Sequence, residues 1–225
     1  MLDLNTFSIV ARDPRTGDLG VAVATARPAV GSLVPWVSTQ GAIATQARTN
    51  TDHGRRGLAL LAAGLPIDLA LSTLLAHDPD HDIRQVHGVD AERVFAYTGA
   101  RCVPWCGHRT GPDFSVAGNM LVGPEVLDAM VETFTRNGGP VELSERLLRS
   151  LEAGQAAGGD RRGKQSAALL VASAAPEGYH NLRVDDHAEP VAELRRIYDL
   201  VAAHARKVEQ EYGAEGRRLF GRVKL

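Results

Sequence analysis

The chain has 225 residues, of which 44% are hydrophobic and 23% charged, and its 25 Lys and Arg against 27 Asp and Glu give a net charge of −2. A chain of this size buries roughly 70% of its unfolded surface without a metal or disulfide staple, and this composition excludes a disordered or fibrous protein. The charge balance excludes the basic footprint of a nucleic-acid binder and the polybasic surface of a membrane-bound protein.

Met1-Leu2-Asp3-Leu4-Asn5 carries neither a basic start nor a long apolar core, so no signal peptide is expected. Thr6 to Ala11 and Leu19 to Ala24 are β-rich and flank Asp13-Pro14-Arg15-Thr16-Gly17-Asp18, which predicts a strand–turn–strand hairpin. The second arm is almost entirely small or apolar, as in a strand covered on both faces. Two further strands are expected over Ser32 to Val37 and Gly41 to Gln46.

Arg56 to Ala63 and Pro66 to Ala76 read as soluble helices rather than a membrane span, because Pro66 and Asp68 interrupt the apolar run. Arg84 to Val89 and Arg93 to Thr98 flank Asp90-Ala91-Glu92 as a second hairpin, and Phe114 to Val116 is a short strand leading into Gly118-Asn119. Helices are expected over Glu125 to Phe134 and Glu142 to Glu152. The glycine-rich stretch from Gly154 to Gly163 then leads into a buried strand, Ser166 to Ser173. Paired helices between groups of strands predict helices layered on a sheet core. From Pro190 the pattern changes. Val191, Leu194, Tyr198, Val201, Ala205, Val208 and Tyr212 form the narrow apolar seam of one long amphipathic helix, which either packs on the domain or pairs with a second copy. The division expected is therefore 1–189 for the domain and 190–225 for the helix and a loose basic tail.

Familiar catalytic spacings are absent: there is no G-x-S-x-G elbow, no phosphate-binding G-x-x-x-x-G-K-[ST] loop and no H-E-x-x-H. Cys102, Cys106 and His108 lie close together, but their spacing matches no common zinc site, and an isolated cysteine pair fits free thiols in a cytoplasmic, reducing compartment. Asp78, Asp80 and Asp82 alternate as in a calcium loop, yet Ile83 stands where glycine is needed and Val89 where the last carboxylate is needed. No metal or other cofactor is expected. What remains is Thr6 and Ser8 on the first strand, with dispersed polar groups: Thr25 and Arg27, Gln46 and Asn50, Gly118-Asn119, and Asp160 to Ser166. Each has an ordinary structural alternative, such as a hydroxyl bonding backbone or a glycine pair making a turn.

The blocks TFSIVARDPRTGDLGVAVAT, AVGSLVPW, GAIATQA, GHRTGPDFSVAGNML, GGDRRGKQSAALLV and LRVDDH resemble the DUF1028 family, from about Thr6 to about Leu200. The notion that this family belongs with the N-terminal-nucleophile (Ntn) hydrolases implies an α+β fold, a four-layer αββα sandwich of two mainly antiparallel sheets. It implies an amidohydrolase that cleaves a C–N amide bond of a small molecule, with Thr6 as nucleophile and its α-amine as base. Asn119 and the backbone at Gly118 would be oxyanion donors. Arg27, Gln46, Asn50, Asp160 and Gln165 would line the substrate cleft, Arg27 suiting a substrate carboxylate. Thr6 follows five residues, so its nitrogen is an amide until the Asn5–Thr6 bond is cut or translation starts elsewhere. The competing expectation is a binding or assembly protein in which Thr6 is never exposed. No side-chain base for Ser8 is evident near it in sequence, and a homodimer is expected with no nucleic-acid or membrane partner.

Overall fold

The computed structural model describes residues 6–136 and 139–220; the residues before Thr6 and the end of the expected basic tail lie outside them. The first hairpin is β1 (Thr6–Arg12) and β2 (Leu19–Thr25). Its turn closes on Asp13, whose carboxylate accepts the Arg15 backbone N–H at 3.0 Å, and on Gly17, whose φ of 80° suits a residue without a side chain. A 3-10 turn over Val30–Ser32 precedes β3 (Pro35–Ser38), so this strand begins later than its sequence suggests; β4 is Gly41–Ala47. Helices α1 (Thr51–Ala62) and α2 (Ile67–Ala76) are followed by β5 (Arg84–Val89), β6 (Val94–Thr98), β7 (Gly107–Thr110) and β8 (Phe114–Asn119). Next come α3 (Glu125–Arg136), α4 (Leu143–Ala156), β9 (Ser166–Ala172), β10 (Asn181–Val184) and α5 (Pro190–Phe220), which breaks at Gly213.

The strands make two antiparallel sheets, a six-stranded one in the order β10-β9-β2-β1-β8-β7 and a four-stranded one in the order β3-β4-β5-β6. Side chains alternate faces along each strand, so each sheet has two chemically separate surfaces. Phe7, Ile9 and Ala11 of β1 join Leu147, Leu151, Met130 and Leu194 in a core between the large sheet and α3, α4 and α5. The opposite face of β1 sends Val10 against Val21, Val23, Ala42, Ala44 and Val89, between the two sheets. A third cluster, with Ile43, Leu61, Leu71 and Val86, seats α1 and α2 on the outer face of the small sheet. Close approach of α1 depends on Gly54, where an added Cβ would stand 2.2 Å from the Trp36 ring.

The long helix divides its seam. Val191, Leu194, Tyr198 and Ala202 are buried in the same core as β1, Val201 and Ala205 pack at its edge, and Leu200 and Tyr212 are exposed. The first half of α5 is thus part of the domain's core, although the sequence division placed it outside. None of the described helices is long and apolar enough to cross a membrane. Burial sets the energetic contrast along α5. Tyr198→Ala, which empties a core position and removes the Ser144 hydroxyl contact at 3.0 Å, should cost about 3 kcal/mol in urea unfolding. Val208→Ala, beyond the core, should cost at most about 0.5 kcal/mol. Equal losses would contradict the division of the seam.

Candidate functional site

The inward face between the sheets is apolar at one end and polar at the other. Thr6 and Ser8 of β1 share the inward parity of Val10, as do Gln46 of β4, Gln85 and His87 of β5, and Ser115 and Asn119 of β8. All seven are buried. Polar groups withdrawn from water must bond one another or cost about 1–3 kcal/mol each. Most of them do bond, in one connected network. Ser8 Oγ lies 2.6 Å from Gln46 Oε1 and 2.8 Å from His87 Nε2. Gln46 Nε2 donates to Gln85 Oε1 at 2.8 Å, and Asn119 Nδ2 donates to the same oxygen at 3.0 Å. Gln85 Nε2 faces three acceptors: Thr98 Oγ1 at 2.9 Å, the Gly107 carbonyl at 3.0 Å and the Gly118 carbonyl at 2.9 Å. Thr98 Oγ1 then meets His108 Nδ1 at 2.9 Å.

These contacts fix where the protons are. Backbone carbonyls only accept, so Gly107 and Gly118 hold the NH₂ end of Gln85 and turn its oxygen toward Gln46 and Asn119. Gln46 must then present its own NH₂ to Gln85 and its oxygen to Ser8. The single Ser8 proton goes to that oxygen, and His87 completes the contact by donating from Nε2–H. Ser8 and His87 therefore have the distance of a nucleophile and its base with the proton order reversed. Burial holds His87 neutral, with its pKa pushed down to about 3, the charge of His108 adding in the same direction. Thr6 Oγ1 has no hydrogen-bond partner at this end, and Ser115 Oγ, opposite Val10 toward the apolar end, has none either.

Thr6 opens β1 with Thr25 of β2 on one side and Asn119 of β8 on the other. Asn119 spends one of its two amide hydrogens on Gln85 and lines a cavity of about 20 Å³ with Ala47, Arg48, Arg101, Cys102 and Met120. That is room for one water and no substrate. Ala47 (φ 65°) and Met120 (φ 51°) end β4 and β8 in the left-handed region, a conformation costing about 1–3 kcal/mol per non-glycine residue and concentrated at functional sites. Cys102 is a buried free thiol whose Sγ donates to the Arg84 carbonyl at 3.3 Å, and burial pushes its pKa up to about 11, the nearby Cys106 adding to the rise.

The other residues expected at the site separate. Gly118 contributes its carbonyl to Gln85. Asp160 sits beside this end, accepting the Ala26 N–H at 3.0 Å and the Arg162 N–H at 2.9 Å, and it bridges to Leu121. Arg27 follows β2, and its carbonyl receives the Ser166 hydroxyl. Gln165 donates its side-chain amide outward to Asp186 at 3.1 Å. Asn50 is the cap of α1 on the far side of the small sheet; its Oδ1 accepts the Asp52 N–H at 3.1 Å and its Nδ2 bonds Asp78 at 3.1 Å. Asp78 in turn holds Arg84 at 2.9 Å, and although burial opposes its charge, the Arg84, Asn50 and backbone hydrogen bonds bring its pKa to about 2. Gln85, His87 and Thr98 were not singled out from sequence, where the only signal is a polar residue at every second position of β5.

His87 gives the network a pH signature. Its native pKa near 3 lies below the unfolded value of 6.5, so between these values the unfolded chain binds the extra proton and stability falls as pH falls. Within that window His87 contributes a slope of at most about 1.4 kcal/mol per pH unit. In His87→Gln, whose amide can still donate to Ser8, urea midpoints measured from pH 7 to pH 4 should decline less steeply than in the parent. An unchanged slope would show that His87 is not held neutral.

The family model for DUF1028, a family of unknown function, matches residues 6–194. No curated protein matches this chain. The crystal structure of a DUF1028 protein from Silicibacter pomeroyi is similar, with a TM-score of 0.80 and 32% sequence identity over 91% of this chain and 94% of that one. The match begins at Thr6, the head of the strand that carries the buried hydroxyls, and ends at Leu194, in the first turns of α5; the chain belongs to the DUF1028 family.

Proposed function

We propose that this chain is the latent form of an Ntn-type amidohydrolase, activated when Thr6 gains a free α-amine. The observation that carries this reading is the Thr6 hydroxyl, which is buried without a partner at the head of a central strand, beside Asn119. Helices covering the outer faces of two stacked antiparallel sheets agree with the αββα order of such enzymes. With the Asn5–Thr6 bond intact, the Thr6 nitrogen is an amide and accepts no proton. Cleavage would give an amine with a reference pKa near 7.7–8.0, of which about a tenth to a sixth is neutral and able to act as base at pH 7.

The amine would take the hydroxyl proton as Oγ1 attacks the substrate's amide carbonyl. The same proton would pass to the leaving amine as the C–N bond breaks, and water would hydrolyse the resulting Thr6 ester. The second N–H of Asn119 would serve the oxyanion. Arg48 and Arg101 at the small cavity favour a small amide that carries a carboxylate. A second reading is supported by one observation: Thr6 is wholly buried and the small cavity that Asn119 lines holds only about 20 Å³, as in a binding or assembly protein that never exposes it.

The decisive comparison is between the full chain and one begun at Thr6 behind a removable Met, each checked by intact mass and assayed against carboxylate-bearing amides. Turnover should appear only in the second, vanish in Thr6→Ala, and fall about 10²-fold in kcat in Asn119→Ala. A folded Thr6-initiated chain that turns over none of the panel favours the second reading, and unchanged turnover in Asn119→Ala removes that residue from the oxyanion role.

We also propose a homodimer formed along the seam of α5 beyond the core, where Val208 and the exposed Tyr212 continue the apolar spacing. Truncation after Arg206, which leaves Tyr198 and Ala202 in place, should convert two-protomer particles to single protomers in light scattering. Retention of two protomers places the interface elsewhere.

A further inference from the structure

A sizeable cavity lies at the other end of the large sheet from Thr6. Register places Thr6 opposite Thr25 and Ser166 at one end and Arg12 opposite Leu19 and Ala172 at the other, about 20 Å along the strands. Beyond that second end, α4, α5 and the segment between β9 and β10 enclose about 540 Å³, the volume of a small-molecule site. Its walls combine carboxylates with aromatic rings: Asp18, Glu142 and Glu177 stand around Tyr179, His180 and Tyr198.

The charges of this cavity do not cancel. Arg195 is spent on Glu145 at 2.7 Å, Glu152 at 2.8 Å and Asp199 at 3.3 Å. Arg206 and Glu209 are exposed on the outer part of α5 and offset each other in sign. Asp18 and Glu142 form no ion pair with Arg or Lys among the described residues; Glu142 instead accepts the Tyr179 hydroxyl at 3.3 Å. Their field is felt by both neighbours. The Tyr179 phenol is pushed well above its ordinary value, first by burial and then by the charges of Glu142 and Glu177. Burial lowers the His180 pKa while Glu142 and Asp18 pull it back upward.

A second, independent feature calls for a ligand with its own acceptor. His180 lines the cavity and is only 6% exposed. Its Nδ1 accepts the Glu177 backbone N–H at 3.1 Å, so the neutral ring carries its proton on Nε2, and no hydrogen bond from that N–H is found among the described residues.

We propose that this cavity binds a small molecule of amino-acid size that carries an ammonium group and a hydrogen-bond acceptor, the ammonium held by Glu142 and Asp18 and the acceptor by His180. The site is separate from the Thr6 end and does not depend on any activity there.

Calorimetric titration of the full chain with L-lysinamide, which has both groups, and with hexanamide, which lacks the ammonium, tests this directly. L-lysinamide should bind saturably with a sub-millimolar Kd that weakens with added salt, and hexanamide should not bind. Glu142→Gln keeps the shape and the Tyr179 contact and should weaken L-lysinamide about tenfold. Asp18→Asn, at the β1–β2 turn and outside the core, should weaken it as well and provides the check if the first variant is unstable. Absence of saturable binding up to about 10 mM, equal binding of hexanamide, or unchanged affinity in both variants would overturn the proposal.

Discussion

Two backbone carbonyls, those of Gly107 and Gly118, orient the polar end of the space between the sheets. Both can only accept, so they pin the amide of Gln85 in one of its two orientations. Every later choice in the network follows from that one. Gln46 must turn its NH₂ inward, Ser8 must give its proton to Gln46, and His87 must donate to Ser8. Reversing a single amide would set an oxygen against two carbonyl oxygens, so the network has one low-energy order of donors. Its polarity is decided at β7 and β8, although the residues it governs sit on β1, β4 and β5.

That polarity separates two hydroxyls that look alike in sequence. Ser8 has a histidine within 2.8 Å, yet its proton is committed elsewhere and the imidazole nitrogen that faces it already carries a hydrogen. Thr6, two residues earlier on the same face, has no partner at all. A buried hydroxyl without a bond costs stability, and a fold that retains one carries that cost at a defined place. The left-handed residues Ala47 and Met120 add local strain at the same end, beside Asn119.

The sequence made the covered strands readable because their composition admits few alternatives. Leu19 to Ala24 and Ser166 to Ala172 are runs of small and β-branched residues, and they appear as the neighbouring strands β2 and β9. The two strands that escaped, β7 and β10, are the edges of the large sheet. Edge strands are short and half wet, so Gly107-His108-Arg109-Thr110 carries no apolar run to betray it. At β8 the reading stopped at Val116 because Gly118-Asn119 resembles a turn, whereas pairing with β1 and β7 on both sides holds the strand extended through Asn119. Gln46 and Asn119 were singled out from sequence and lie in the buried network, but Gln85, which joins them, looked like an ordinary member of a hairpin. Nothing in Ala47 or Met120 signals a left-handed backbone, since neither is the glycine or asparagine that such a position favours. For Asn50 residue chemistry misled: an asparagine before a helix is first of all a cap.

On the hydrolase reading proposed above, the arrangement of β1 bears on what a free amine at Thr6 would change. The strand is flanked by β2 and β8, and six residues, Phe7 to Arg12, pair in register with β2 beyond Thr6 itself. Cutting the chain before Thr6 would therefore change the chemistry of one nitrogen without releasing the strand, because the pairing and the core beneath Phe7 and Ile9 stay in place. The Gln85 network would remain as well, since none of its bonds passes through Thr6. An N-terminal residue placed this way has its side chain positioned before its amine exists. On the hydrolase reading, activation would then consist of opening space beside Thr6 rather than building geometry.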